Sequence, residues 1–223
     1  MSDALTNDSI TTETLQAYQA LCAFCSWALY ADPAEETMRG MVQDRAMFSE
    51  APFTQVAPDA SRALVELFEG AAQSPEAFAD FMHQVHLDRT YLFFMTGSSK
   101  ASPYESVWRS EDETLFGPRT LEVRAMYKRG GLVFERAANE PDDHIGLEFS
   151  FVAHLLHAAA EGDEAALPLL REFLAEHLLT FGPDCLARIA ERDHGAYFRA
   201  VCGIATGTLE ALAAELEVTA NKR

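Results

Sequence analysis

The sequence predicts an all-α protein of about nine or more helices in a single domain over residues 1–223, on three observations. Apolar residues recur at steps of three and four through both halves of the chain. Helix start and stop signals separate those stretches. No run alternates apolar and polar with period two for long enough to make a strand. In order, Leu15, Tyr18, Cys22, Cys25 and Leu29 trace one stripe of a first helix. Asp32-Pro33-Ala34-Glu35 reads as a restart, with Asp32 as N-cap, Pro33 at the first helical position and Glu35 completing the capping pattern. Leu64, Leu67, Phe68 and Ala71 mark the next helix. Ser74-Pro75-Glu76 opens another that carries Phe78, Phe81, Met82 and Val85 and runs to Phe94, closing an N-terminal half of about 10–95. Residues 96–118 break the pattern: Gly97-Ser98-Ser99-Lys100-Ala101-Ser102-Pro103 has loop composition, and Gly117-Pro118 ends the irregular stretch. The C-terminal half, about 119–218, resumes at Arg119 and stops first at Lys128-Arg129-Gly130-Gly131, with cations in the last turn and glycine beyond it. A second loop leads to Pro141, after which Ile145, Phe149, Val152, Leu156 and Ala159 form a new stripe. Further helices cover Leu170 to Leu178, Pro183 to Ala190, and the stripe Phe198, Cys202, Ala205, Leu209, Leu212 and Leu216; Pro168 leaves the start of the first of these open. The residues up to about Ser9 and the end, Asn221-Lys222-Arg223, read as frayed.

Charge narrows the partners. The chain carries 35 Asp+Glu against 17 Lys+Arg, a formal charge of −18. Such a surface repels phosphate backbones and anionic headgroups and draws in basic partners, so no nucleic acid is expected, although acidity also serves solubility alone. The start, Met1-Ser2-Asp3-Ala4, lacks a basic segment followed by an apolar run, and no stretch approaches the roughly 20 apolar residues that span a bilayer. A cytoplasmic protein without stable membrane insertion is the expectation. Cys22, Cys25, Cys185 and Cys202 are too few for a disulfide framework and lie in apolar periodic segments.

Few constellations suggest chemistry. Cys22-x-x-Cys25 is half of a zinc site at most, with no second ligand pair near it, and both residues lie on an apolar stripe where cysteine packs as a small hydrophobe. Glu191-Arg192-Asp193-His194 supplies one Glu-x-x-His where a helical di-metal site needs two; His83/His86 and His154/His157 bring no carboxylate partner. No phosphate-binding loop or serine nucleophile elbow is present. No catalytic residue, metal or cofactor is expected.

Two segments stand out. Glu140-Pro141-Asp142-Asp143-His144 reads first as a helix start, Pro141 at the first helical position with acids in the first turn; the functional alternative is a rigid rim whose acids accept hydrogen bonds from the guanidinium or backbone of a visiting peptide. The second, Tyr104-Glu105-Ser106-Val107-Trp108 followed by Leu115-Phe116-Gly117, is aromatic without helical period, either a loop folded over the core or a binding groove.

Together these segments resemble the TorD/DmsD family of cytoplasmic chaperones that mature molybdenum enzymes before twin-arginine export. Glu140-Pro141-Asp142-Asp143-His144 with Glu148 is similar to the family's E-P-x-D-H signature, and Tyr104–Trp108 and Leu115-Phe116-Gly117 resemble the loop ahead of it. Tyr91-x-x-Phe94 and Phe173-Leu174-x-x-His177-Leu178-Leu179 match in order, so the likeness runs from Leu15 to Leu216. One departure is the glycine or proline expected soon after Tyr91-Leu92-Phe93-Phe94, which is delayed to Gly97 and Pro103. The resemblance implies the family's helical fold and binding rather than catalysis. The partners would be a twin-arginine leader peptide and the apo-form of a molybdoenzyme catalytic subunit. It implies a leader site drawn from Tyr104, Ser106, Trp108, Glu140, Pro141, Asp142, Asp143 and His144, with Asp142 and His144 exposed at a helix start. It also implies a monomer or domain-swapped dimer and weak guanine-nucleotide binding, for neither of which the sequence shows a motif. The alternatives are an acidic helical scaffold or regulator in which Glu140–His144 is only a cap, and a helical metalloenzyme.

Overall fold

The computed structural model describes residues 10–94, 101–110, 115–134 and 140–221. Helices account for well over half of the chain. Among the described residues the extended pairing is an isolated antiparallel bridge between Tyr104 and His144. The order is α1 (Thr12–Tyr30), α2 (Glu35–Gln43), a 3₁₀ turn (Arg45–Ser49), α3 (Phe53–Val56), α4 (Pro58–Ala71) and α5 (Pro75–Arg89), which continues as a π turn over Thr90–Phe94. Then come α6 (Glu105–Arg109), α7 (Pro118–Arg129), α8 (Ile145–Ala160) and α9 (Ala166–Phe173). A π turn (Leu174–Leu178), α10 (Leu179–Arg192) and α11 (Tyr197–Glu215) complete the chain.

The expected start at Ser74 holds, and a side chain also caps α1, for which the sequence named no start. Thr11 accepts from the Thr14 N–H at the head of α1, and Ser74 accepts from Ala77 N–H at 3.1 Å ahead of Pro75 in α5. Three expectations need correction. Helix α2 begins at Glu35 without a side-chain cap; Asp32 lies in the preceding turn, its carboxylate 3.8 Å from Arg89, and Pro33 is buried there. Pro141 does not open α8, which begins at Ile145, because Asp143 O and Ile145 N–H are paired with Glu105 N–H and Pro103 O of another segment. Pro183 does not open a separate helix but lies early in α10, where only one helical hydrogen bond is forfeited. Within 96–118, expected to be irregular, α6 makes a short helix. The parts of the two expected loops over 95–100, 111–114 and 135–139, including Gly97, lie outside the described residues.

Helix α8 is buried on nearly every side through its first three turns, which makes it the central helix. Its start meets the end of α1 at Gly146, where an added Cβ would lie 2.7 Å from Tyr30 Cβ and 3.1 Å from the Tyr30 backbone nitrogen. Phe151 of α8 closes an aromatic cluster with Tyr127 of α7 and Phe173 of α9, ring centroids 4.9 and 4.8 Å away. Burying each such ring stabilises the fold by about 1.5–3 kcal/mol. All four cysteines are buried and free, as the core reading expects. Burial pushes the Cys25 thiol up to about 12 and the Cys22 thiol up as well, so neither forms a ready thiolate. His154 of α8 reaches the end of α7, a ring nitrogen 2.7 Å from Gly130 O. Among the described residues no group of three or more His, Cys, Asp or Glu is arranged to hold a metal, and no helix is long and apolar enough to cross a membrane.

Candidate functional site

The two segments singled out in the sequence lie against each other. Around the Tyr104–His144 bridge, Glu105 N–H donates to Asp143 O at 2.9 Å, and Ile145 N–H donates to Pro103 O at 2.7 Å. The loop carrying α6 and the lead-in to α8 are thereby paired, though 37 residues separate Ser106 from Asp143. Sequence periodicity cannot reveal such a pairing, because each segment is too short to show a strand pattern.

Each acid of the lead-in has a partner. Asp143 is fully buried: one carboxylate oxygen accepts from Ser106 N–H at 2.7 Å and the other from the Thr120 hydroxyl at 2.9 Å. It thus supplies from across the chain the cap that α6 lacks locally, and joins α6 to α7. Asp142 receives the Nε–H of Arg124, and its carbonyl oxygen receives the Tyr127 hydroxyl at 3.0 Å. The Asp142 side chain is 11% exposed while that of Arg124 is 46% exposed. His144 is the N-cap of α8, its Nδ1 accepting from Gly146 N–H at 3.0 Å, which leaves the ring proton on Nε2. Its ring stands edge-on between Tyr30 and Tyr104, centroids 5.1 and 5.2 Å away. Glu140 accepts from the Tyr30 hydroxyl at 3.0 Å.

A second layer lies beneath this surface. Glu105 and His177 face each other in the interior, Oε2 to Nδ1 2.9 Å, with side chains 0% and 3% exposed. Glu148 is fully buried nearby, neither carboxyl oxygen having a protein hydrogen-bond partner. Burial, and then the charges of Glu105 and Asp143, push its carboxyl well above the usual range, which favours the protonated form. Trp108 donates through Nε1 to Ser102 O at 2.7 Å, and the Arg188 guanidinium lies 5.8 Å from its ring centre.

All eight residues named from the sequence therefore fall in one region. The expectation that Asp142 and His144 present exposed side chains is corrected: both are buried, as are Ser106, Pro141 and Asp143. The reason is that Asp142, Asp143 and His144 spend side-chain atoms on bonds to α6, α7 and α8. Tyr104, Trp108 and Glu140 stay half-buried. Sequence reasoning did not place Arg124, Thr120, Tyr127 or Tyr30 here. The only hint was that α7 gathers Arg119, Arg124, Lys128 and Arg129 in a strongly acidic chain.

Comparison with known sequences bears on the same region. The model of the family described as nitrate reductase delta subunit matches residues 55–187, more than half of the chain and all of the paired segments. A chaperone protein TorD of Vibrio cholerae is 27% identical over 124 residues, 53% of this chain and 56% of that protein. A TorD of Vibrio vulnificus is 28% identical over 145 residues, 63% of this chain and 67% of that protein. A Tat proofreading chaperone DmsD of Salmonella typhi is 30% identical over 125 residues, 56% and 58% of the two chains. The match thus spans little more than half the length of the first and last of these relatives.

Proposed function

The chain belongs to the TorD/DmsD family, and from that premise we propose that it is a chaperone of molybdoenzyme maturation. In this reading it acts in the cytoplasm. It binds the twin-arginine leader of an apo-oxidoreductase and holds the enzyme for cofactor insertion before export. Its activity is binding, not catalysis, and no metal or cofactor of its own enters the reading. The observation that carries it is the pairing of the Tyr104–Trp108 loop with the Glu140–His144 segment, which gathers aromatic faces and carboxylates in one place on a chain of charge −18. A leader that is cationic at one end and apolar in its middle suits both features. Tyr104, Trp108 and Glu140 offer half-buried contact surface, and Asp142 offers a carboxylate already seated against a guanidinium. Asp143, Ser106, Pro141 and His144 hold that arrangement in place.

The test is calorimetric titration with a synthetic twin-arginine leader, beside thermal melts. Asp142→Asn keeps the shape and removes the charge. Leader binding is expected to weaken by about 1–3 kcal/mol with a small change in melting temperature, and to fall with added salt. Unchanged affinity with a large loss of stability would favour the alternative, an acidic helical scaffold in which this segment only joins helices. The burial of Asp143 and His144 is the observation that keeps this alternative in play.

A further inference from the structure

We propose that Arg124 is an internal competitor for the leader: its guanidinium occupies the Asp142 carboxylate in the free protein, and a leader arginine binds there by displacing it. The inference rests on the leader-binding reading above. It follows from the exposure and anchoring of the two partners. Asp142 is nearly covered, and Arg124, which donates its Nε–H to that carboxylate, is nearly half exposed. The arginine therefore has solvent to swing into, whereas the carboxylate has no comparable freedom.

The helix beneath Arg124 does not have to move. Four residues before it, the Thr120 hydroxyl is held by Asp143 at 2.9 Å; three after it, the Tyr127 hydroxyl is held by the Asp142 carbonyl at 3.0 Å. With α7 clamped on both sides, the Arg124 side chain can leave while its helix stays in place. The exchange replaces one planar, permanently charged guanidinium by another, so the buried carboxylate passes between equivalent partners instead of standing unpaired. The consequence is that the free protein binds the leader more weakly than the bare site would. The reduction is the fraction of molecules in which Arg124 has vacated Asp142. Residue 124 thus sets leader affinity without contributing a contact to the complex, and in the bound state its charge is returned to solvent.

The experiment is calorimetric titration of the full chain and its variants with a synthetic twin-arginine leader, alongside thermal melts and the Nε–H resonance of Arg124 in ¹⁵N-labelled protein. Arg124→Gln is expected to tighten binding about fivefold, the worth of a half-exposed ion pair expressed in affinity. Lys128→Gln removes the same charge one turn further along α7 and serves as the charge control, with a gain below about twofold expected. Arg124→Lys, which lacks the planar fork, is expected to fall between wild type and Arg124→Gln, and keeps the test available should Arg124→Gln fold poorly. In the wild-type protein, leader addition shifts the Arg124 Nε–H resonance toward that of a solvent-exposed arginine. Unchanged or weaker binding by Arg124→Gln, an equal gain from Lys128→Gln, or an unmoved resonance overturns the competition. If Asp142→Asn nevertheless weakens binding, the leader-site reading stands and only the competition falls. If Asp142→Asn binds like wild type, the leader-site reading fails and the competition fails with it.

Discussion

Glu148 lies wholly inside α8 with no protein partner for either carboxyl oxygen, and it faces the charges of Glu105 and Asp143. Both burial and repulsion raise its pKa in the folded chain, whereas in the unfolded chain it titrates as an ordinary glutamate. The sign follows from proton counting: a carboxyl raised by folding contributes stability that is fully present below the unfolded value and is lost as pH rises above it. Each pH unit across which the folded chain keeps a proton that the unfolded chain has released costs about 1.4 kcal/mol. Glu148→Gln keeps the shape of the protonated acid and removes the titration. In urea unfolding between about pH 4.5 and 7.5, the variant should match wild type at the acid end and gain on it as pH rises. Two units above the acid end the gap should reach up to about 3 kcal/mol. The difference between the two proteins cancels the titrating groups that do not interact with Glu148. A gap that is constant across the range, or a variant less stable at each pH, would refute the assignment of a buried, proton-bearing Glu148. The result bears on the candidate site, because Glu148 interacts with Glu105, whose contact with His177 ties the α6 loop to the interior. An ionised Glu148 would place a third buried carboxylate beside Glu105 and Asp143.

Two further outcomes are expected. Asp143→Ala strips the cap from α6 and the partner from the Thr120 hydroxyl, both buried, so chemical denaturation should report a loss of about 2–4 kcal/mol, with leader binding lost through disorder of the loop. Replacing Cys22 and Cys25 together by alanine should cost roughly 1–3 kcal/mol in packing and leave leader affinity unchanged. A thiol reagent should leave both residues unmodified in the native wild-type protein, since burial holds Cys25 at about 12. Rapid native labelling would show that the pair is not core.

What the sequence by itself determined is the helical class and the boundaries that neighbouring residues set, such as the Ser74–Pro75 start of α5 and the Gly130 end of α7. Helical periodicity is a local property: Leu15, Cys22, Cys25 and Leu29 are buried because residues three and four apart share a face, whatever that face meets. Caps made by a neighbouring side chain, such as Ser74 at α5, are equally local and equally legible. The signature segment was legible as a place of interest, since Glu140–His144 combines residue types that a plain helix start does not require.

Only the tertiary structure decided what those residues do. Helix α6 is capped by Asp143 from 37 residues away, so no reading of Tyr104–Trp108 alone could find it. Pro141 and Asp142 look like a first helical turn in sequence but stand ahead of α8, because pairing with residues 103–105 and α7 competes successfully for their backbone. The same contacts bury Asp142 and His144, which charge and position alone would leave in solvent. Arg124, one of several cations on α7, acquires its meaning only by lying against Asp142. Local propensity acts between neighbours in sequence, whereas burial and hydrogen-bond partnership act between neighbours in space, and in this chain the candidate site is built almost wholly from the second kind.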